Sequence, residues 1–354
     1  MPDEQIDSLF RQPVCWLMDN GPEDDIAISS RIRLARNLSG EPFPIRSDDA
    51  TLGGIRDSVF SALGKVDSMK DSNTSVFRVD ELSELDRRFL LERHLISREF
   101  LNPRHGSGLV TNREQGAFVM INEEDHLRLQ VLAPGFQLNE IWQLINRLDD
   151  ELSVQLPFAF DKTFGYLTSC PTNLGTGMRA SVMLHLPGLV LTNQIQAVVQ
   201  GVNKLGLAVR GFYGEGSQTL GNLYQISNQS TLGESEDQII RRLSTVISQI
   251  IAHEKKARAL LLANRQCYLM NHIGRAYGLL KHSYIITGDE SLNCLSALRL
   301  GVDLNMFQSV NIHTVNELFL LVQAAHLQKY EGHELNQENR DVVRAALLRK
   351  FLQE

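Results

Sequence analysis

Apolar residues recur at every second position across residues 26–34, 127–131 and 179–184, and at every third or fourth position across several longer stretches. The first period is that of a strand with one buried face, the second that of an amphipathic helix. Over 26–34 the alternation sets Arg31 and Arg33 on one face and Ile32 and Leu34 on the other. Further strands are predicted at 76–79, 117–121, 127–131, 166–169, 179–184 and 223–227. Another starts at Ala208 and leaves into a loop with Gly211, Gly214 and Gly216, which carries Glu215. Helices are predicted over 46–70 (Leu52, Ile55, Val59, Leu63), 137–152 (Ile141, Leu144, Ile145, Leu148) and 189–205 (Ile195, Val198, Val199, Val202). Trp16 is expected to pin a short helix to the core, and 104–108 to form a glycine-bearing loop.

Beyond residue 230 the period of two disappears. Ser235 and Gln238 form a capping-box signature, and Ile239, Ile240, Leu243, Val246, Ile247, Ile250 and Ile251 follow at near-heptad spacing. Helices are expected at about 264–281, 289–300, 315–330 (capped by Thr314 and Glu317) and 338–353. The pattern therefore predicts an α+β unit over 1–230, an antiparallel sheet flanked by helices, followed by an all-α unit over 231–354 that serves dimerisation.

Composition narrows the function class. Hydrophobic content of 43% and charged content of 22% are those of a soluble globular protein. A net charge of −7 argues against nucleic acid as partner, since a phosphate backbone demands a basic surface. The four cysteines, at 15, 170, 267 and 294, make no CxxC pair, so neither a disulfide framework nor a zinc site is suggested. That usage, with no secretory leader and no membrane-length apolar run, leads us to expect a cytoplasmic protein without membrane contact.

Candidate chemistry gathers around residues 165–184. A short strand ends at Cys170, a turn rich in Pro171, Asn173, Gly175 and Gly177 follows, and Arg179 opens the next strand. Arginines recur at strand ends: 31, 33, 128, 179 and 210. Converging on one cleft, they would cradle a triphosphate, each forking onto two oxygens. Kinase and P-loop signatures are missing. Glu123, Glu124 and Asp125 form a knot of three acids, read either as a solvated turn or as a cluster neutralised by a cation or guanidinium. Carboxylates such as Glu124 and Glu215 suit a guanidinium acceptor, and one of them can take its proton. His94, in an apolar context, reads on its own more readily as a satisfied core residue than as a ligand.

These motifs resemble the phosphagen (guanidino) kinases: S-S-R-x-R at 29–33, N-E-E-D-H-x-R at 122–128, C-P-T-N-x-G-T-G at 170–177 and R-A-S-V at 179–182. Within that superfamily the whole chain is most similar to bacterial protein-arginine kinases of the McsB type. The resemblance implies the guanidino-kinase catalytic fold and transfer of the γ-phosphoryl of ATP to the guanidino group of protein arginines, marking proteins for stress-response regulation or degradation. It places Arg31, Arg33, Arg128, Arg179 and Arg210 on the phosphates, with Ser29, Ser30, Ser181 and Val182 in the same nucleotide-binding motifs and His94 near the base or ribose. Glu124 becomes the base, Glu215 the second carboxylate and Cys170 a thiol touching the substrate. Mg²⁺ is held mainly through the nucleotide, with Asp125 reaching it through water and no dedicated protein metal site.

Arg340, Asp341, Arg344 and Ala345 match an R-D-x-x-R-A motif that implies an allosteric phosphoarginine pocket; the alternative is a solvated helix face. Implied partners are proteins with exposed or unfolded arginines, an activator, and protease or chaperone machinery. Two other functions remain open. One is a small-guanidine kinase, against which stand only 28 residues ahead of Ser29 where such enzymes carry a helical domain. The other is a non-catalytic phosphoarginine-binding adaptor.

Overall fold

The structure is a computed structural model and describes residues 2–18, 21–69, 74–112, 116–211 and 220–353. Two helices, α1 (Pro2–Arg11) and α2 (Cys15–Met18), precede strand β1 (Ala27–Arg36). Then come α3 (Asp49–Leu63), β2 (Ser75–Arg78), α4 (Glu84–Glu92), β3 (Gly108–Asn112), β4 (Ala117–Ile121), β5 (Leu127–Pro134) and α5 (Leu138–Gln155). A small ribbon follows, β6 (Phe160–Asp161) and β7 (Gly165–Tyr166), then β8 (Met178–His185), α6 (Pro187–Leu191), α7 (Ile195–Lys204), β9 (Leu207–Gly211) and β10 (Leu223–Asn228). The remainder is helical: α8 (Glu236–Asn264), α9 (Gln266–His282), α10 (Gly288–Asp303), α11 (Ile312–Leu321), α12 (Ala324–Glu331) and α13 (Gln337–Gln353).

Eight strands form one sheet in the order β2-β3-β4-β5-β1-β8-β10-β9, antiparallel throughout. Register gives each face its character. Arg33 lies opposite Gln130 on one side and Arg179 on the other, Arg31 opposite Ser181, Ser181 opposite Ser227, and Gln225 opposite Arg210. These partners share one face, because paired residues point the same way. The other face presents Ile32, Leu34, Leu129, Val131, Ala180, Val182 and Ile226, and packs against α3, α5 and α8 through Ile55, Val59, Ile145, Leu148, Leu243 and Ile247. Among the described residues the polar face is covered only around its margins. There Phe118, Met120, Leu132 and Met183 join α1, α4, α10 and α11 through Ile6, Phe89, Leu295 and Phe319. The gap between is the cleft.

Several predicted boundaries move for identifiable reasons. The helix expected over 189–205 is two, parted at Asn193, whose φ of 57° is left-handed. The helix expected over 315–330 is also two, and its cap is Asn311, which accepts from Thr314 N at 2.8 Å; Thr314 and Glu317 lie inside the helix. The helix over 46–70 shortens to α3, because Asp48 caps its start and Gly64 ends it. Strand β3 begins inside the expected 104–108 loop; all five of its residues are buried, so it has no alternation to read. The strand expected at 166–169 keeps only Gly165 and Tyr166. The Ser235–Gln238 capping box is present in full, and Trp16 is buried, fastening α2.

Candidate active site

The cleft has a volume of about 490 Å³. Alternation on four strands brings five guanidinium groups to it: Arg31 and Arg33 from β1, Arg128 from β5, Arg179 from β8 and Arg210 from β9. Ser29, Ser181, Gln225 and Ser227 lie among them. Gln225 Nε2 donates to Ser181 Oγ at 2.9 Å, and Arg179 Nη2 to Ser227 Oγ at 3.4 Å. Two nucleotide-binding expectations fall on the opposite face. Ser30 is fully buried, donating to Gly135 O (2.8 Å) and accepting from Gln137 N (3.0 Å), and Val182 sits in the apolar core. Both strengthen the strand that carries the arginines, but their side chains face away from the cleft.

Like charges this close perturb one another. Burial, then Arg128, Arg179 and Arg210, lower the Arg31 pKa to about 10. Burial, Arg128, Arg31 and Arg179 also lower that of Arg33. Only an anion relieves such an arrangement. Part of it comes from within: Glu123, its side chain 2% exposed, pairs with Arg128. Burial pushes the Glu123 carboxyl upward, but Arg128 and further contacts outweigh this and hold it below its ordinary value.

The acidic knot therefore divides three ways, and it is not a solvated turn. Glu123 joins the cage. Glu124 lines the cleft, where burial and then Asp125 raise its pKa, opposed by Arg128 and by a hydrogen bond with Cys170. Asp125, 3% exposed, accepts from Asn37 Nδ2 and from Ser169 N, both at 2.6 Å. It is an anchor for the Cys170 turn, turned inward from the site where a water-bridged metal contact was expected. Asn122, left-handed at φ 57°, makes the bend that sends the three acids apart.

Cys170 Sγ lies 3.0 Å from Thr172 Oγ1, and both residues line the cleft with Glu124. The turn that holds them is built on glycine. A Cβ on Gly175 (φ +106°) would fall 2.4 Å from Thr231 O, so a larger residue cannot take its place. His94 lines the cleft beside Trp16, the rings 5.1 Å apart edge to face. Burial and Arg31 push its pKa down to about 3, so it is neutral at physiological pH. Glu215 lies outside the described residues.

Other lining residues were given no site role from the sequence: Trp16 as a cleft wall, Ser97, Arg98, Gln225 and Ser227, along with Thr172 and Asn173, which appeared only as part of the Cys170 turn. The period of two places Gln225 and Ser227 on the arginine face and would have found them. Trp16 and Arg98 come from segments without such a signal. Far from the cleft, Arg344 and Ala345 are 4% and 1% exposed, which excludes a solvated helix face at those two positions. Arg344 Nε donates to Val322 O and Nη1 to Ile286 O, each at 2.9 Å, with Asp341 beside it; the partly exposed Arg340 donates to Leu335 O at 2.8 Å.

Residues 55–257 match the sequence family described as ATP:guanido phosphotransferase, C-terminal catalytic domain, and residues 266–354 match the protein-arginine kinase McsB C-terminal domain. The protein-arginine kinase of Halothermothrix orenii is 46% identical over 95% of this chain and 96% of its own length. That of Bacillus cereus is 43% identical over 98% of both chains. The chain belongs to the protein-arginine kinases. Among solved structures, the duplicated taurocyamine kinase of Schistosoma mansoni with bound transition-state-analogue components aligns at a TM-score of 0.60 and 26% identity, over 68% of this chain and 34% of that one. A lombricine kinase aligns at 0.59 over 71% of each chain; at 23% identity it speaks for the shared fold alone. The two family matches leave only residues 258–265, near the end of α8, between them. The apolar face of α8 packs on the sheet, and most of this helix lies within the catalytic-domain match.

Proposed function

We propose that the cleft binds MgATP with its phosphates among Arg31, Arg33, Arg128, Arg179 and Arg210, and transfers the γ-phosphoryl to a guanidino nitrogen of protein arginine. The carrying observation is the convergence of five arginines from four strands on one face of the sheet. In phosphoryl transfer the protein chiefly positions reactants and neutralises spreading charge, which such a cage does without a covalent step. The new bond joins the guanidino nitrogen to phosphorus, the bond to the bridging oxygen of ADP breaks, and the nitrogen's proton passes to Glu124.

The raised pKa of Glu124 suits a proton acceptor, and its contact with Cys170 joins the two groups expected to meet the acceptor. Glu215 is proposed as the second carboxylate on sequence grounds. Neutral His94, with Trp16, offers a flat apolar wall for the nucleobase. Among the described residues no three His, Cys, Asp or Glu cluster as metal ligands. The proposal places a magnesium ion on the phosphates, whose charge it would help neutralise. No helix among the described residues is long and apolar enough to cross a membrane, in keeping with the cytoplasmic location we assign.

In the helical unit we assign Arg340, Asp341, Arg344 and Ala345 to a phosphoarginine pocket, with Arg344 as its frame and the more exposed Arg340 as its reader. A homodimer formed through the helices and delivery to protease machinery complete the reading. The test incubates the protein with MgATP and either an unfolded protein or free arginine. Acid-labile phosphate on protein arginine, seen by phosphorus NMR, is the expected result. Product from free arginine alone would overturn it in favour of a small-guanidine kinase.

A further inference from the structure

The turn that carries Cys170 and Thr172 is flanked by apolar side chains that the fold itself does not use. Phe160 and Phe164 on the β6–β7 ribbon are 59% and 52% exposed, and Leu232 is 49% exposed. They are neighbours through the backbone. Phe164 precedes Gly165, whose added Cβ would lie 2.5 Å from Gly175 O, and a Cβ on Gly175 would lie 2.9 Å from Leu232 Cα. The acceptor turn is tied to the same segment, since Thr231 Oγ1 donates to Thr172 O at 2.9 Å and Leu174 O at 2.6 Å.

The ribbon is braced. Phe160 pairs with Tyr166, their rings 5.2 Å apart, and Tyr166 exchanges backbone hydrogen bonds with Gly175. The Arg36 guanidinium lies 3.4 Å from the centre of the Tyr166 ring, and Asp161 Oδ1 accepts from Thr163 N (2.7 Å) and Phe164 N (3.0 Å). Large apolar side chains exposed to water on neighbouring, stiffly supported backbone segments mark a contact surface.

From these observations we propose that Phe160, Phe164 and Leu232 form an apolar rim that binds hydrophobic side chains two to four residues from the target arginine in an extended polypeptide. This rests on the protein-kinase reading above and names its substrate class: arginines in apolar sequence, the kind a folded protein hides. The occupant follows from continuity with the acceptor turn. Tyr166, against whose ring the rim residue Phe160 packs, stands four positions before Cys170, a span of at most about 13 Å at roughly 3.3 Å per residue. An extended substrate covers the same distance in about four residues. Free arginine is too short to reach the rim.

The test uses two 11-residue peptides with one central arginine, carrying leucine at positions ±3 in one and serine in the other. For the wild-type protein kcat/KM should favour the leucine peptide by about tenfold, which is about 1.4 kcal/mol. In the triple variant Phe160→Ser, Phe164→Ser, Leu232→Ser the preference should fall to within about twofold, through KM. The KM for MgATP and kcat on the serine peptide should stay unchanged, showing that the variant folds. Equal kcat/KM on both peptides, or a preference surviving in the variant, overturns the rim. So does a change in sedimentation on substitution, which would make the rim an interface between copies. No phosphoarginine on either peptide would overturn the protein-kinase reading, and the rim with it.

Discussion

Replacing Arg31 with Met should make the nucleotide-free protein more stable and the nucleotide-bound protein less so. Arg31 sits among Arg128, Arg179 and Arg210, and its pKa is lowered from its ordinary value to about 10, by burial first and then by those neighbours. A shift of that size corresponds to roughly 3 kcal/mol against the charged form in the folded state. Screening in an open cleft cuts this to about 1–2 kcal/mol. The sign follows from proton binding. A basic group with a lowered folded pKa disfavours folding fully below about pH 10, and the penalty lifts only as pH rises above 10 towards the ordinary arginine value. At pH 7.5 it is wholly present. Methionine keeps most of the side-chain length without the charge, so the variant should melt about 2–8 °C higher in low salt, at roughly 2–4 °C per kcal/mol. High salt should shrink the difference. MgATP at about a hundredfold over its Kd stabilises the wild type by about 2.7 kcal/mol; the variant, lacking one phosphate ligand, should lose most of that. Differential scanning calorimetry with and without MgATP reads both effects. A lower melting temperature for the nucleotide-free variant would refute the account of the cage as a preorganised, self-repelling anion site.

Glu124→Gln should reduce kcat by roughly 10²–10⁴-fold with little change in the KM for MgATP; wild-type activity should fall as pH drops through the raised Glu124 pKa, and that acid limb should vanish in the variant. Asp149→Ala should cost about 3–5 kcal/mol in urea denaturation, because it strands the buried Arg36 guanidinium that Asp149 holds at 2.8 Å; a loss under about 1 kcal/mol would contradict this. Arg344→Ala should lower stability by about 3 kcal/mol, since two carbonyls lose a charged donor. Arg340→Ala should leave the melting temperature nearly unchanged while abolishing phosphoarginine binding in calorimetry.

Most of the site was legible because a strand's period is rigid. Once Arg31 and Arg33 alternate with Ile32 and Leu34, their common face follows from bond geometry, and the same holds at Arg128, Arg179 and Arg210. The capping box at Ser235 and the end of strands near residue 230 are likewise local, set by side-chain to backbone hydrogen bonds and apolar spacing. Ser30 and Val182 sit in the right motifs but one position off the arginine face, so the same period of two turns their side chains to the apolar side. What the chain alone could not decide was how those faces meet. Glu123, Glu124 and Asp125 are three consecutive acids in the sequence. One left-handed residue and the partners Arg128, five positions on, and Cys170 and Asn37, from distant segments, give them three different environments. Strand β3 was hidden for the converse reason: buried on both sides, it has no period. Local periodicity reports which way a side chain points, whereas charge, burial and partnership depend on residues a hundred positions away, and those the tertiary structure alone assigns.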